Sequence, residues 1–227
     1  MSRLNFLNNV HKAVRAGLFE ATLQVAQTDF GDLGAAAAAA RNVVELMDLL
    51  DEHAGNEHRF LFPELARFAP DLIADLEADH LGMEEQQSEI RVLAHRVHGS
   101  AASAREEAGR LLARALALLS ADQLRHLDRE ETEAVTVAWE NWSDAELAQL
   151  QARARAAISP ETWERFMRRM LPALNLGEQV ELLSSARKVM PAPAFGSLVA
   201  LAREVLAPER WALLGGRVGI DSSAEGA

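Results

Sequence analysis

The pentapeptides HAGNE at residues 53–57, HLGME at 80–84 and HLDRE at 126–130 repeat one spacing, His-x-x-x-Glu, and a lone His11 precedes them. Four residues make just over one helical turn, so each pair projects an imidazole and a carboxylate from the same face. Four helical segments would then each supply at least one nitrogen donor. That is the arrangement by which a helical bundle holds two metal ions.

Outward from these pairs, the apolar positions follow helical steps of three and four. The first segment reads Leu4, Leu7, His11, Val14 and Leu18, and the second Val43, Leu46, Leu50, His53, Glu57 and Phe60. The third runs Ile73, Leu76, His80, Glu84, Gln87 and Ile90 after Pro70, which suits a first helical turn. The fourth carries Leu112, Ala115, Leu119, His126, Glu130 and Val137, with Ser103 and Glu106 spaced as a capping box ahead of it. Each stripe contains polar residues. Unpaired and buried, these would cost several kcal/mol each, so something must compensate them.

The breaks at residues 31–34, Pro63 to Pro70 and Gly99-Ser100 are short, which favours antiparallel neighbours and predicts an all-α, up-down-up-down four-helix bundle. Residues 35–40 are all alanine and read as the start of the second helix. Beyond Trp139 the character changes. Capping boxes at Ser143/Glu146 and Asn175/Glu178, a helix start at Ser159-Pro160, and prolines 191 and 193 before a last helix through Leu201 predict three or four shorter helices. The division expected is a bundle over 1–138, a helical extension over 139–214 and a disordered tail over 215–227.

Composition narrows the chemistry. With no cysteine among 227 residues, disulfides, thiolate ligands and nucleophilic thiols are excluded. A net charge of −11, with no basic cluster interleaved with aromatics, argues against nucleic acid. No leader or membrane-spanning stretch is evident, so a cytoplasmic protein is expected, without membrane partners. Tyrosine is absent too, which rules out a tyrosyl radical. Imidazole and carboxylate without sulfur suit iron, manganese or zinc, and seven donors overfill a four-coordinate zinc site. Two iron ions are expected, with manganese or a mixed-metal pair as alternatives.

The ordered motifs, with Leu61-Phe62-Pro63 after the second, resemble the hemerythrin-like proteins, the HHE cation-binding domain, over about residues 1–138. In that family a first histidine is followed by His-x-x-x-Glu, by His-x-x-x-His or a variant, and by a histidine with an acid four or five residues later. The resemblance implies His11 and His53 on one iron, His80 and His126 on the other, and Glu57 and Glu130 as bridges. Glu131 is an alternative to Glu130. Glu84 stands where oxygen-carrying members place a histidine. An anion there would favour ferric iron and disfavour reversible carriage.

The resemblance therefore implies a non-heme di-iron protein handling dioxygen, peroxide or nitric oxide, more an oxidoreductase with a small-molecule substrate than a carrier. Alternatives are a sensor signalling through its C-terminal helices, which resemble an extension found in some members including iron-regulatory ones, and a reversible oxygen carrier. Either a monomer or a homodimer is expected. Among the remaining residues, Asp122 lies one turn before His126 and could orient it. His58 reads as a surface residue or a neighbour of the ligands. His95 and His98 suit a helix end, and Trp139, Trp142, Trp163 and Trp211 suit helix packing.

Overall fold

The computed structural model describes residues 3–99 and 101–220, and every regular element among them is helical. The long helices are α1 (Asn8–Gln27), α2 (Leu33–Asn56), α4 (Pro70–Gly99) and α5 (Ala102–Arg129). Between them lie a π-helical turn, Glu57–Leu61, and the short α3 (Phe62–Leu65). After α5 come a second π-helical turn, Glu130–Ala134, then α6 (Val135–Asn141) and α7 (Asp144–Ala157). The chain continues through α8 (Pro160–Ala173), α9 (Leu176–Val189), α10 (Ala192–Val205) and α11 (Pro208–Val218). No helix among the described residues is long and apolar enough to cross a membrane.

Helix α1 packs against α2 and α5, and α4 packs against the same two, so the four long helices enclose one apolar cluster. Leu18, Leu46, Ile90 and Leu112 are among its fully buried members. Phe166 of α8 joins this cluster from outside the four. A second cluster is built from α8 to α11 around Leu171, Leu183, Ala202 and Leu214, and it takes in Ala13 of α1. The third gathers Leu7, Phe62, Leu65, Leu76, Val135 and Leu147 around the two π turns.

Local chemistry accounts for most boundaries. Asp32 caps α2 by accepting from the Ala35 amide at 2.8 Å, and Pro70 opens α4. The boxes at Ser143/Glu146 and Asn175/Glu178 form, as does the Ser159 cap. The Ser103/Glu106 box does not, because α5 already starts at Ala102 and leaves Ser103 inside the first turn. Beyond α10, Pro208 opens a further helix that carries the chain past Leu214 to Val218. Gly219 ends it in the left-handed conformation, φ 68°, where a side chain would be strained. Asp221 to Ala227, expected to be disordered, lie outside the described residues.

Candidate metal centre

Six of the seven anticipated donors converge between the four long helices and the two π turns. His11 sits in α1, His53 in the last turn of α2, His80 in α4 and His126 in the last turn of α5, while Glu57 and Glu130 each open a π turn. They form two buried groups, His11/His53/Glu57/Glu130 and Glu57/His80/His126/Glu130, each with one donor atom per residue within 4.8 Å of the others. Both groups share both glutamates. The imidazoles pair accordingly: ring centroids are 5.2 Å apart for His11 and His53, and 4.3 Å for His80 and His126.

Each carboxylate divides its oxygens between the groups. Glu57 Oε1 lies 3.2 Å from His53 Nε2 and 3.8 Å from His11 Nε2, while its Oε2 lies 3.6 Å from His80 Nε2. Glu130 Oε2 lies 3.4 Å from His11 Nε2, and its Oε1 lies 3.4 Å from His126 Nε2. Yet both oxygens of each glutamate, and Nε2 of His11, His53 and His126, are buried without a hydrogen-bond partner. Orphans of this kind are costly in a protein interior, and cations held by the two groups would satisfy them. Nitrogen and oxygen donors without sulfur suit a transition-metal cation.

The local helix geometry is unusual where it matters. The Phe62 amide donates to the Glu57 carbonyl and the Val135 amide to the Glu130 carbonyl, an i→i+5 pattern that inserts one extra residue into each helix. The apolar stripes therefore resume one residue later than regular periodicity gives. Leu61 and Phe62 are buried rather than Phe60, and Ala138 rather than Val137. The first shift brings the Phe62 ring onto His80, stacked at 5.4 Å.

Outer partners hold the imidazoles. Glu131 Oε1 lies 2.8 Å from His11 Nδ1, and Arg15 donates to both Glu131 oxygens at 2.7 and 3.0 Å. Glu131, weighed from sequence as an alternative to Glu130, thus supports His11 from behind. For His126 the partner is Asp79, at 3.5 Å from Nδ1 and held by Arg129 at 2.9 Å. Asp122, the candidate read from sequence, instead accepts from Gln86 and Arg125. His58 Nε2 lies 3.1 Å from His80 Nδ1, which makes it a neighbour of the donors. His95 and His98 are exposed on α4, away from both groups.

Proton affinities diverge within this small space. Burial works against a charge on His11, but Glu131, Glu57 and Glu130 outweigh it and raise the group to about 9. His53 is pushed well down, by burial and then by the other imidazoles. Burial and the neighbouring His126 and His58 lower His80 to about 3. Burial and the Glu130 charge raise Glu57 to about 7. Burial opposes the charge on His126 as well, yet Glu130 leads the contacts that raise it.

The seventh expected donor, Glu84, is exposed and belongs to neither group. From Leu76, two successive four-residue steps reach Glu84 and overshoot the stripe by about 80°. The buried face of α4 instead takes Met83 and then Gln87. Glu84 lines a cavity of about 370 Å³ between α2 and α4 whose wall includes His53, His80, Gln87 and Gln123.

No curated protein and no solved structure matches the chain. A family model does, over residues 2–138, and its description is the hemerythrin HHE cation binding domain. That span covers all six converging donors and both π turns. The chain therefore belongs to the hemerythrin HHE cation-binding family.

Proposed function

We propose that His11 and His53 hold one cation, that His80 and His126 hold a second, and that Glu57 and Glu130 span the two. The observation that carries this reading is the set of buried, unpartnered carboxylate oxygens, each glutamate facing both histidine pairs. Iron is the proposed metal, on donor chemistry and family membership. When bound, an iron pair supplies redox chemistry toward dioxygen, peroxide or nitric oxide. Two metals in an up-down-up-down bundle over residues 1–138, with a helical extension beyond, make this a non-heme di-iron oxidoreductase.

The protein's own contribution is orientation and exclusion of water. Glu131, fixed by Arg15, accepts the His11 Nδ1 proton and keeps the Nε2 lone pair turned inward. Asp79 does the same for His126. Phe62, stacked on His80, shields that ring. The cavity beside His53 and His80 gives small molecules a way to the site and is larger than a diatomic requires.

A second reading, a sensor, is favoured by one observation. Helix α1 carries His11, and the next two residues join the C-terminal helices: Lys12 pairs with Glu178 of α9 at 2.5 Å, and Ala13 lies in the C-terminal cluster. Occupancy at His11 thus acts on a helix the extension grips. Reversible carriage also stays open, because Glu84, whose charge would have disfavoured it, lies outside the donor groups.

Elemental analysis and anaerobic absorption spectra, before and after dioxygen and then peroxide, test these readings. Two irons per chain, lost when His53→Ala and His126→Ala are combined, are expected, with repeated turnover of the oxidant. One binding event with a change of shape selects the sensor, and a band reversible on deoxygenation selects the carrier. Absence of any bound metal in a folded chain overturns all three.

A further inference from the structure

We propose that the cavity between α2 and α4 is the route by which a divalent cation reaches the buried donors, with Glu84 capturing the ion at the mouth and the Gln87 carboxamide oxygen receiving it on the way in. The inference rests on the reading that the six converging residues hold cations.

The cavity wall is graded by exposure. His53 and His80, at 4% and 3% exposure, and Gln87, at 5%, are buried members of it, and Glu84 and Asp51 are exposed. Helix α4 alone provides His80, Glu84 and Gln87 on successive turns of that wall. The Gln87 Oε1 atom is buried without a hydrogen-bond partner, so the wall holds an acceptor that nothing in the fold satisfies. Among the described residues Glu84 has neither an ion pair nor a hydrogen bond. The one cation on the wall, Arg91, is committed to Asp48 at 2.8 Å and to Asp51.

These groups select by charge. An anion would face Glu84 with Arg91 already neutralised, and a neutral oxidant needs neither a free carboxylate nor an orphan carbonyl. Carboxylate and amide oxygens are hard donors suited to a divalent cation, and each can replace one of its waters before the imidazoles do. Glu84 is thus a capture residue for the centre and no part of its final donor set.

The test is the rate of cobalt(II) uptake by the metal-free, full-length chain, followed by stopped-flow absorption, with stoichiometry and affinity from chelator competition. Glu84→Gln should slow uptake about tenfold and Glu84→Lys further, in the range expected for electrostatic capture. Glu85→Gln removes the same charge from an exposed neighbour outside the cavity wall and should leave the rate within about twofold. Release should slow by the same factor as uptake, so stoichiometry and affinity stay at wild-type values. Gln87→Leu should slow uptake as well, and the Glu84 series decides the matter if that variant fails to fold. Equal rates for the Glu84 and Glu85 variants overturn the route. Lost stoichiometry or affinity at an unchanged rate also overturns it, by making Glu84 a ligand. Failure of the wild-type chain to take up cobalt overturns the reading of the donors and the route with it.

Discussion

Burial works against the proton on both His11 and His80, and the other charges decide the outcome: at His11 it is outweighed by Glu131, Glu57 and Glu130, which raise the group to about 9, whereas at His80 it is reinforced by His126 and His58, which lower it to about 3. A histidine raised in the fold contributes stability that is complete below its unfolded value, near 6.5, and lost as pH rises through the folded one. Above pH 7, His53 and His80 are largely neutral folded or unfolded, while Glu57, raised to about 7 by burial and the Glu130 charge, is still losing its proton and so acts in the same direction as His11. The metal-free protein should therefore lose thermal stability between pH 7 and 9, while added metal, which must displace the His11 proton, should stabilise it more at the upper end. Melting curves with and without a chelator across that range check both; a metal-free melting temperature that rises would refute the protonated His11. That His53 meets Glu57 and His126 meets Glu130 was legible in the sequence because a four-residue step is local geometry. Asp79 was not, since it reaches His126 from another helix, and neither was the outward turn of Glu84, which depends on where the α4 stripe drifts.

Two helices carry the same device. In α2 and in α5 a histidine closes the regular helix, a glutamate four residues on opens a π turn, and the added residue changes which side chains face inward thereafter. Deleting the exposed Arg59 from the first turn should restore regular winding and rotate either the Glu57 side or the Phe62 side by about 100°. Far-UV circular dichroism should show nearly unchanged helicity, while elemental analysis shows metal falling below one ion per chain; full metal retention would show that the turn does not position Glu57. The helices themselves were readable from periodicity, and the Ser143, Ser159 and Asn175 caps from short-range spacing. The π turns were not, since an inserted residue changes no residue type. Their trace in the sequence is the apolar stripe resuming at Leu61 and Ala138 where Phe60 and Val137 were due.

On the scale of the whole molecule the C-terminal helices are packed onto the long ones, α8 against α1 and α2. Phe166, 3% exposed, lies in the cluster the four long helices enclose, and Arg169 donates to Asn42 of α2 at 3.1 Å. At Gly17 the helices come so close that an added Cβ would lie 2.9 Å from the Leu46 side chain and 3.4 Å from Arg169. Phe166→Ala should cost about 3–5 kcal/mol, and urea unfolding followed by tryptophan fluorescence and by circular dichroism should keep a single shared midpoint. Separate midpoints would mean that the extension unfolds independently. Nothing in the amino-acid order announced this junction, because Ala13 and Phe166 each look like ordinary core residues of their own helix. The sharing of α1 between two cores also orders events in time. Lys12 meets a partner 166 positions further along the chain, so α1, whose neighbours α2 and α5 are made much earlier, gains its last contacts late in synthesis. A nascent chain can gather all six converging residues once α5 and the second π turn have been made, but the helix that carries His11 is locked only when the C-terminal helices have closed over it.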